Sequence, residues 1–339
     1  MSRMLRAAIV VVAAGVFSPS AIANDSSAEL ATGGLIFVRN DNVEMRSEEL
    51  TISAVEVSVR YRFFNKSNQD VTVLVAFPMP EIKISGPDEN ISIPTEDPVN
   101  ILGFTTVVNG RPVKTEVQQR VFAAGVDRTQ LLSSLNIPLA PHLQATNAAL
   151  DRLPKDRWDE LIRLGVAEIE EFDVGKGMER HLAARWALQT TYYWQQTFIA
   201  GAETVVEHRY KPSVGATVQT MIGDPSAAKE NWFDDYRRKY CMDKSFIDAA
   251  TRARQAARMQ SGAPFSEQRI EYILRTGANW AGPIRDFRLI VDKGAADSLI
   301  SFCGQGVKRV GPTRFEMRAT DFTPERDLSI LILKRLPKQ

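Results

Sequence analysis

Three consecutive stretches decide the fold: VEVSVRYRF at 55–63, NKSNQD at 65–70 and VTVLVAF at 71–77. In the first, Val55, Val57, Val59, Tyr61 and Phe63 alternate with Glu56, Ser58, Arg60 and Arg62. A period of two with one charged face describes a half-buried strand. The second stretch is a polar turn. The third is apolar on both faces, as in a central strand covered on both sides. Pro78 and Pro80 end it, because proline cannot donate to a ladder. Together the three predict an antiparallel hairpin.

Outward from there, FTTVV at 104–108 meets Asn109-Gly110, and Val113–Val117 follows. Asn-Gly supplies the two positive φ angles of a type I′ turn, whose twist suits the flanking strands. Many short strands at short spacing make 24–126 a sandwich-like β domain. From 127 to 185 the pattern reads as a helical insertion. Leu153-Pro154 opens one helix, with Trp158, Leu161, Ile162 and Leu164 on one face and Gly165 at its end. Glu168, Glu170, Glu171 and Asp173 form an acidic patch nearby. Strand pattern returns at Ala187, with Leu188, Tyr192, Trp194 and Phe198 on one face. Ala200-Gly201 reads as its turn, and Glu203–Lys211 as the partner strand. Asp224-Pro225 is expected to start a helix running to about Cys241, with a second from about Asp243 to Met259. Further strands are expected near 269–274, 287–291, 299–303, 315–319 and 328–333. The fold class is therefore mainly β with α-helical insertions (α+β), built of antiparallel β-sandwich-like units. Residues 186–339 form the second β-rich part, with a helical segment near 225–260. Strands do not alternate singly with helices, which disfavours a parallel doubly wound sheet.

The N-terminus carries an address. Arg3 and Arg6 precede the uncharged run Ala7–Phe17, which Ser18-Pro19-Ser20 breaks; Ala21-Ile22-Ala23 places small residues at both key positions of a cleavage site. That is the three-part pattern of a secretory signal peptide, residues 1–23, and it predicts a mature chain starting at Asn24. The run is shorter than the roughly 20 residues a spanning helix needs. No cysteine near the cleavage site offers a lipid anchor. Later apolar runs, Val71–Phe77 and Leu328–Leu333, have strand length, so no transmembrane segment is expected after cleavage. A soluble periplasmic or extracellular protein follows. Cutting Arg3 and Arg6 from 42 basic residues leaves one fewer base than the 41 acids. So near-neutral a chain has no global pull on nucleic acid. The two cysteines, Cys241 and Cys303, are expected to form a disulfide in an oxidising compartment.

Motifs for chemistry are missing. His142, His181 and His208 are scattered and read as surface residues; no His-Glu-x-x-His pair or zinc-finger cysteine spacing occurs. There is no Gly-x-Ser-x-Gly elbow, and Gly304-Gln305-Gly306 lacks the rest of a phosphate-binding fingerprint. No metal, cofactor or catalytic residue is assigned. The aromatic group Tyr192, Tyr193, Trp194, Trp232, Tyr236 and Trp280 offers apolar area with polar edges for sugar or peptide. Of these, Tyr192 and Trp194 read as core, and Tyr193, Trp232 and Trp280 are taken as candidate ligand contacts.

Five phrases, SAELATGGLIF (27–37), VSVRYRFFNKSNQDVTVLVAFPMP (57–80), YYWQQTFIAGAETVVEHRYKPSVG (192–215), TGANWAGPIRDFRLIVDKG (276–294) and FTPERDLSILIL (322–333), resemble an exported bacterial family, domain-of-unknown-function family 4424. The resemblance spans nearly the whole mature chain. One departure is Ile199, where the family favours proline. The resemblance implies export and one architecture, and no reaction or ligand. The expected function is that of a non-enzymatic binding or interaction protein of the cell envelope, its partner an envelope protein or glycan. The alternative is an envelope hydrolase acting on glycan through paired carboxylates.

Overall fold

A computed structural model describes residues 24–337 apart from 32, 33, 85–89, 174, 176 and 259–263. The expected signal peptide, Gly33 and Met259 lie outside the described residues. In chain order the strands are β1 Ser26–Ala31, β2 Gly34–Val38, β3 Val43–Ile52, β4 Val57–Asn65, β5 Val71–Pro78, β6 Ile82–Lys83, β7 Asn90–Ser92, β8 Thr105–Val108, β9 Arg111–Val113, β10 Glu116–Ala123 and β11 Val126–Asp127. Helices α1 Thr129–Ser134, α2 Gln144–Asp151 and α3 Lys155–Arg163 follow, then β12 Ala167–Asp173, β13 Met178–Ala184, β14 Ala187–Phe198, β15 Glu203–Tyr210 and β16 Val214–Thr217. Helices α4 Asn231–Tyr240 and α5 Lys244–Arg258 precede β17 Phe265–Tyr272, β18 Ile284–Asp292, β19 Leu299–Phe302, β20 Lys308–Arg309, β21 Arg314–Phe322 and β22 Leu328–Arg335.

The strands at 57–65 and 71–78 form, yet they do not pair with each other. β5 pairs β14 and β1 in a seven-stranded sheet, whereas β4 pairs β3 and β15 in an eight-stranded one. β14 and β15 are split between the same two sheets. Both expected hairpins are instead arches that cross the sandwich and stack side by side. Asn65 explains the arrangement. Fully buried, it donates from Nδ2 to the carbonyls of Gln69 (2.8 Å) and Phe198 (2.9 Å), one in each arch. Its own carbonyl accepts from Gly201 N (3.0 Å), and its N donates to Ala202 O (3.2 Å). Each strand therefore takes its ladder from the neighbouring arch. The Asn109-Gly110 hairpin forms as read: Asn109 has φ +49°, Gly110 φ +77°, and Val108 faces Arg111.

Inward residues of the two large sheets make one core, seen in Phe63 against Phe198 (5.6 Å between ring centres) and Phe104 stacked on Tyr192 (4.3 Å). A third, five-stranded sheet in the order β19-β22-β17-β16-β7 closes one side. Ile330, Ile332 and Tyr272 face the main core, while Leu331, Leu333 and Phe265 pack under Phe233, Tyr240 and Phe246 of the α4–α5 region. This double burial is why 328–333 is apolar at every position but Ser329. The order β20-β21-β18-β3-β4-β15-β8-β9 mixes early and late strands, so the expected boundaries at 126 and 186 do not separate the sheets. β3 and β18 run parallel; the other strand pairs among the described residues are antiparallel.

Part of the helical insertion is strand. α1, α2 and α3 occupy its first half, but β12 and β13 form a hairpin that carries the acidic patch. Cross-strand pairs such as Arg180–Glu171 (2.7 Å) hold its far end. Asp224-Pro225 makes a turn: Asp224 Oδ1 accepts from Ser226 N (2.9 Å), and α4 begins only at Asn231.

Candidate functional site

Two regions concentrate polar chemistry. The first lies where the three sheets meet. Asn24 and Asp25, just ahead of β1, are fully buried. Asn24 Nδ2 donates to Glu48 Oε2 (3.0 Å), and the Tyr61 hydroxyl donates to Asn24 Oδ1. The Tyr61 and Tyr272 hydroxyls are 3.1 Å apart. Trp280 Nε1 donates to Asp25 O (2.6 Å). His208 bridges Thr106 Oγ1 through Nδ1 (3.0 Å) and Asp25 Oδ1 through Nε2 (3.0 Å).

Local folding puts these groups inside. On β15 the inward positions are Thr204, Val206, His208 and Tyr210. On β3 the register shifts between Met45 and Ser47. Val43 and Met45 point inward before this bulge, and Glu48, Leu50 and Ile52 after it. The extra residue thus turns Glu48 into the core opposite Tyr61. Burial holds the Glu48 carboxyl up at about 8, the Asn24 hydrogen bond opposing the rise and Asp25 adding to it. Burial likewise raises Asp25 against the opposing pull of His208. Tyr61 and Tyr272 are pushed up by burial and by their acidic neighbours.

Thr106, His208 and Asp25 have the order of a nucleophile, a base and its orienting acid. Their exposures are 3%, 1% and 0%, so no substrate reaches them. The surface reading of His208 is corrected here: its alternation with Val206 and Tyr210 puts it in the core. His142 is half-buried, and burial lowers its pKa. His181 sits 2.7 Å from Asp151 and stacks on Phe172 (5.1 Å).

The second region is open. α4 is closed by Cys241, whose φ of +51° ends the helix, and Cys241 is bonded to Cys303. Ser301 Oγ donates to Tyr240 O (3.0 Å), fixing the helix end on the strand. Clefts of about 550 Å³ and about 510 Å³ flank this disulfide, both walled by Cys241 and Gly304. The second has an apolar floor including Phe287, Leu289, Ala319 and Phe322, and a rim of Arg318, Glu325 and Arg326. Arg326 Nη1 lies 3.4 Å from Cys303 Sγ and 4.0 Å from Cys241 Sγ. Among the described residues no carboxylate comes within ion-pair distance of it. Both volumes fall in the range of small-molecule sites.

The aromatic candidates are not brought together. Trp280 is a correction: at 0% exposure it packs on Phe63 (4.7 Å) inside the sandwich, out of reach of a ligand. Tyr193 is half-buried on the outer face of β14 and donates to Glu116 (2.9 Å). Trp232 is 42% exposed on α4, edge-on to Tyr236 (5.6 Å). Neither lines the clefts.

The matching family model is described as a domain of unknown function, DUF4424; it covers residues 23–331, and the chain belongs to that family. No curated protein matches. Among solved structures, the chain is similar to a protein of Legionella pneumophila that carries the provisional name of nutrient binding protein. Identity is 16%, the TM-score is 0.43, and the match covers 92% of this chain and 70% of that one. A likeness at that level assigns nothing to this chain.

Proposed function

We propose that this DUF4424-family protein is an exported, non-enzymatic binding protein of the bacterial cell envelope, whose ligand enters the clefts beside the Cys241–Cys303 disulfide. One observation carries the reading: the groups arranged for proton transfer are sealed in the core, while the open surface offers an apolar floor under an unpaired guanidinium. Such a surface can hold a molecule, and it has no aligned nucleophile and base. The favoured ligand is an envelope molecule with an apolar body and an anionic end, since Arg326 has donors free for a carboxylate or phosphate. The buried acids Asp25 and Glu48 lend nothing to the hydrolase alternative, because no glycan reaches them. Tyr193 and Trp232 stand as proposed contacts for a partner protein on separate faces. Export is supported by the leader pattern and the disulfide. A thermal-shift screen of the mature chain against envelope lipids, glycan fragments and peptides tests the reading. A ligand that stabilises the parent protein and leaves Arg326→Ala and Ala319→Trp unmoved supports it. Equal stabilisation of all three places the site elsewhere and overturns it.

A further inference from the structure

The start of the expected mature chain is the most deeply buried polar segment of the molecule. Asn24 and Asp25 have no exposed surface. They are fixed from several sides: Asn24 by Glu48 and Tyr61, Asp25 by His208 and Trp280, and the adjoining Ser26 by Asn279 Nδ2 (2.9 Å). Even a methyl group has no room beside them. A Cβ on Gly277 would stand 2.8 Å from Asn24 Nδ2. A segment that serves only as the stub of a leader has no reason to be held so tightly.

The pocket is short of donors. It holds two carboxyl groups, Asp25 and Glu48, and one group able to become a cation facing them, His208, which of the two acids bonds only Asp25. Among the described residues no lysine or arginine pairs with either acid. One oxygen of each, Asp25 Oδ2 and Glu48 Oε1, is buried without a hydrogen-bond partner. Buried carboxylate oxygens are costly to leave unpaired. The pocket lacks a compact cationic donor, and Asn24 already sits at Glu48.

We infer that leader removal supplies that donor: the α-ammonium of Asn24, created by cleavage after Ala23, docks against Glu48 and completes the core. The inference rests on the export reading for where the chain is cut. A signal peptidase hydrolyses the Ala23–Asn24 amide with one water. The C–N bond breaks, the acyl carbon of Ala23 leaves as a carboxylate, and the nitrogen of Asn24 leaves protonated as an ammonium. Before the cut that nitrogen is a neutral amide with one hydrogen. After it, the nitrogen is a cation with three donors. It belongs to the residue whose side chain already reaches Glu48 Oε2, which brings it to the pocket holding the unpartnered Glu48 Oε1 and Asp25 Oδ2. A buried ion pair is strongly destabilised when one partner is removed. Processing thereby becomes a step of folding: the exported, trimmed chain gives the unpartnered carboxyl oxygens their donor, and the untrimmed one does not.

The test uses the chain from Asn24 to Gln339, released from a fusion partner by a protease that leaves no extra residue. It is compared with the same chain extended by Gly-Ser, each with and without Glu48→Gln. The expected result is a melting temperature higher by roughly 5–10 °C for the native terminus, a gap that shrinks when Glu48 is replaced. Equal melting temperatures, or a gap untouched by Glu48→Gln, would overturn the inference. If the extended chain does not fold, the native chain alone decides. The folded protein is treated with an acylating amine reagent at neutral pH, and each amine is followed by mass spectrometry. The inference expects surface lysines to react while the α-amine is protected by more than about tenfold relative to the unfolded chain. An α-amine that reacts as fast folded as unfolded contradicts it. Failure of the export reading shows separately, as envelope-recovered protein whose first residue is not Asn24.

Discussion

The polar cluster around Asp25 and the clefts around Arg326 stand on the same three-sheet frame and differ in their access to water. In the cluster, burial raises the carboxyls of Glu48 and Asp25 and lines up Thr106, His208 and Asp25. On those grounds alone it has the marks of an active site. Yet every member is sealed, and the same contacts fasten Asn24 and Asp25 to β3, β4 and β15. The clefts hold plainer groups, an arginine beside a disulfide and a floor of Phe and Leu, and they are open. Shifted protonation marks strong interaction, and only access turns that into function. In this fold the strongest polar interactions hold structure together, and the proposed recognition falls to the surface.

Substitutions put that contrast to the test. The largest effect is expected at Trp280. Trp280→Ala removes a buried ring and the donor to Asp25 O, and should cost about 3–5 kcal/mol in denaturant unfolding. Its ligand affinity at the clefts, 25 °C and folded, should be unchanged. Replacing Cys241 and Cys303 together by Ser opens a loop with a sequence separation of 62 and should cost up to about 4 kcal/mol. Unlike the first change it should also loosen the cleft wall and weaken binding, which a titration of the folded variant would read. Gly277→Ala pushes on Asn24 and Ile284 and is expected to cost about 1–3 kcal/mol, read as a lower melting temperature, with the clefts unaffected. Arg326→Ala should move stability by less than about 0.5 kcal/mol, since the side chain is exposed. If binding survives it, the contrast between the regions fails on its functional side.

Much of the frame was legible in the sequence. The alternation at 57–63, the Asn109-Gly110 turn, the doubly apolar strand at 328–333 and the cysteine pair are all local signals. Partner choice was not. The strand–turn–strand pattern at 57–77 is the same for a hairpin and an arch, and the choice rests on Asn65 bonding a carbonyl 133 positions away. The hairpin of β12 and β13 hid because β12 carries acids on both faces, Glu168 and Glu170 on one and Glu171 and Asp173 on the other, which blurs a period of two. In the site, His208 was recoverable from its parity with Val206 and Tyr210. Glu48 was not, because an unbroken strand would place it on the face opposite Met45, and only the bulge brings it inside. Arg326 carried no signal, since its proposed role depends on a cleft assembled from β18, β21 and the disulfide loop. Trp280 misled for the opposite reason: a large ring fills a core as readily as it binds a sugar.

The most direct test of the account is ligand binding at the clefts. Melting of the parent chain and of Ala319→Trp, whose added ring fills the cleft from β21, would be followed against apolar anions from the cell envelope. The account predicts that a stabilising compound raises the parent's melting temperature and leaves that of the variant where it was. A compound that raises both equally would contradict it and move recognition away from the disulfide.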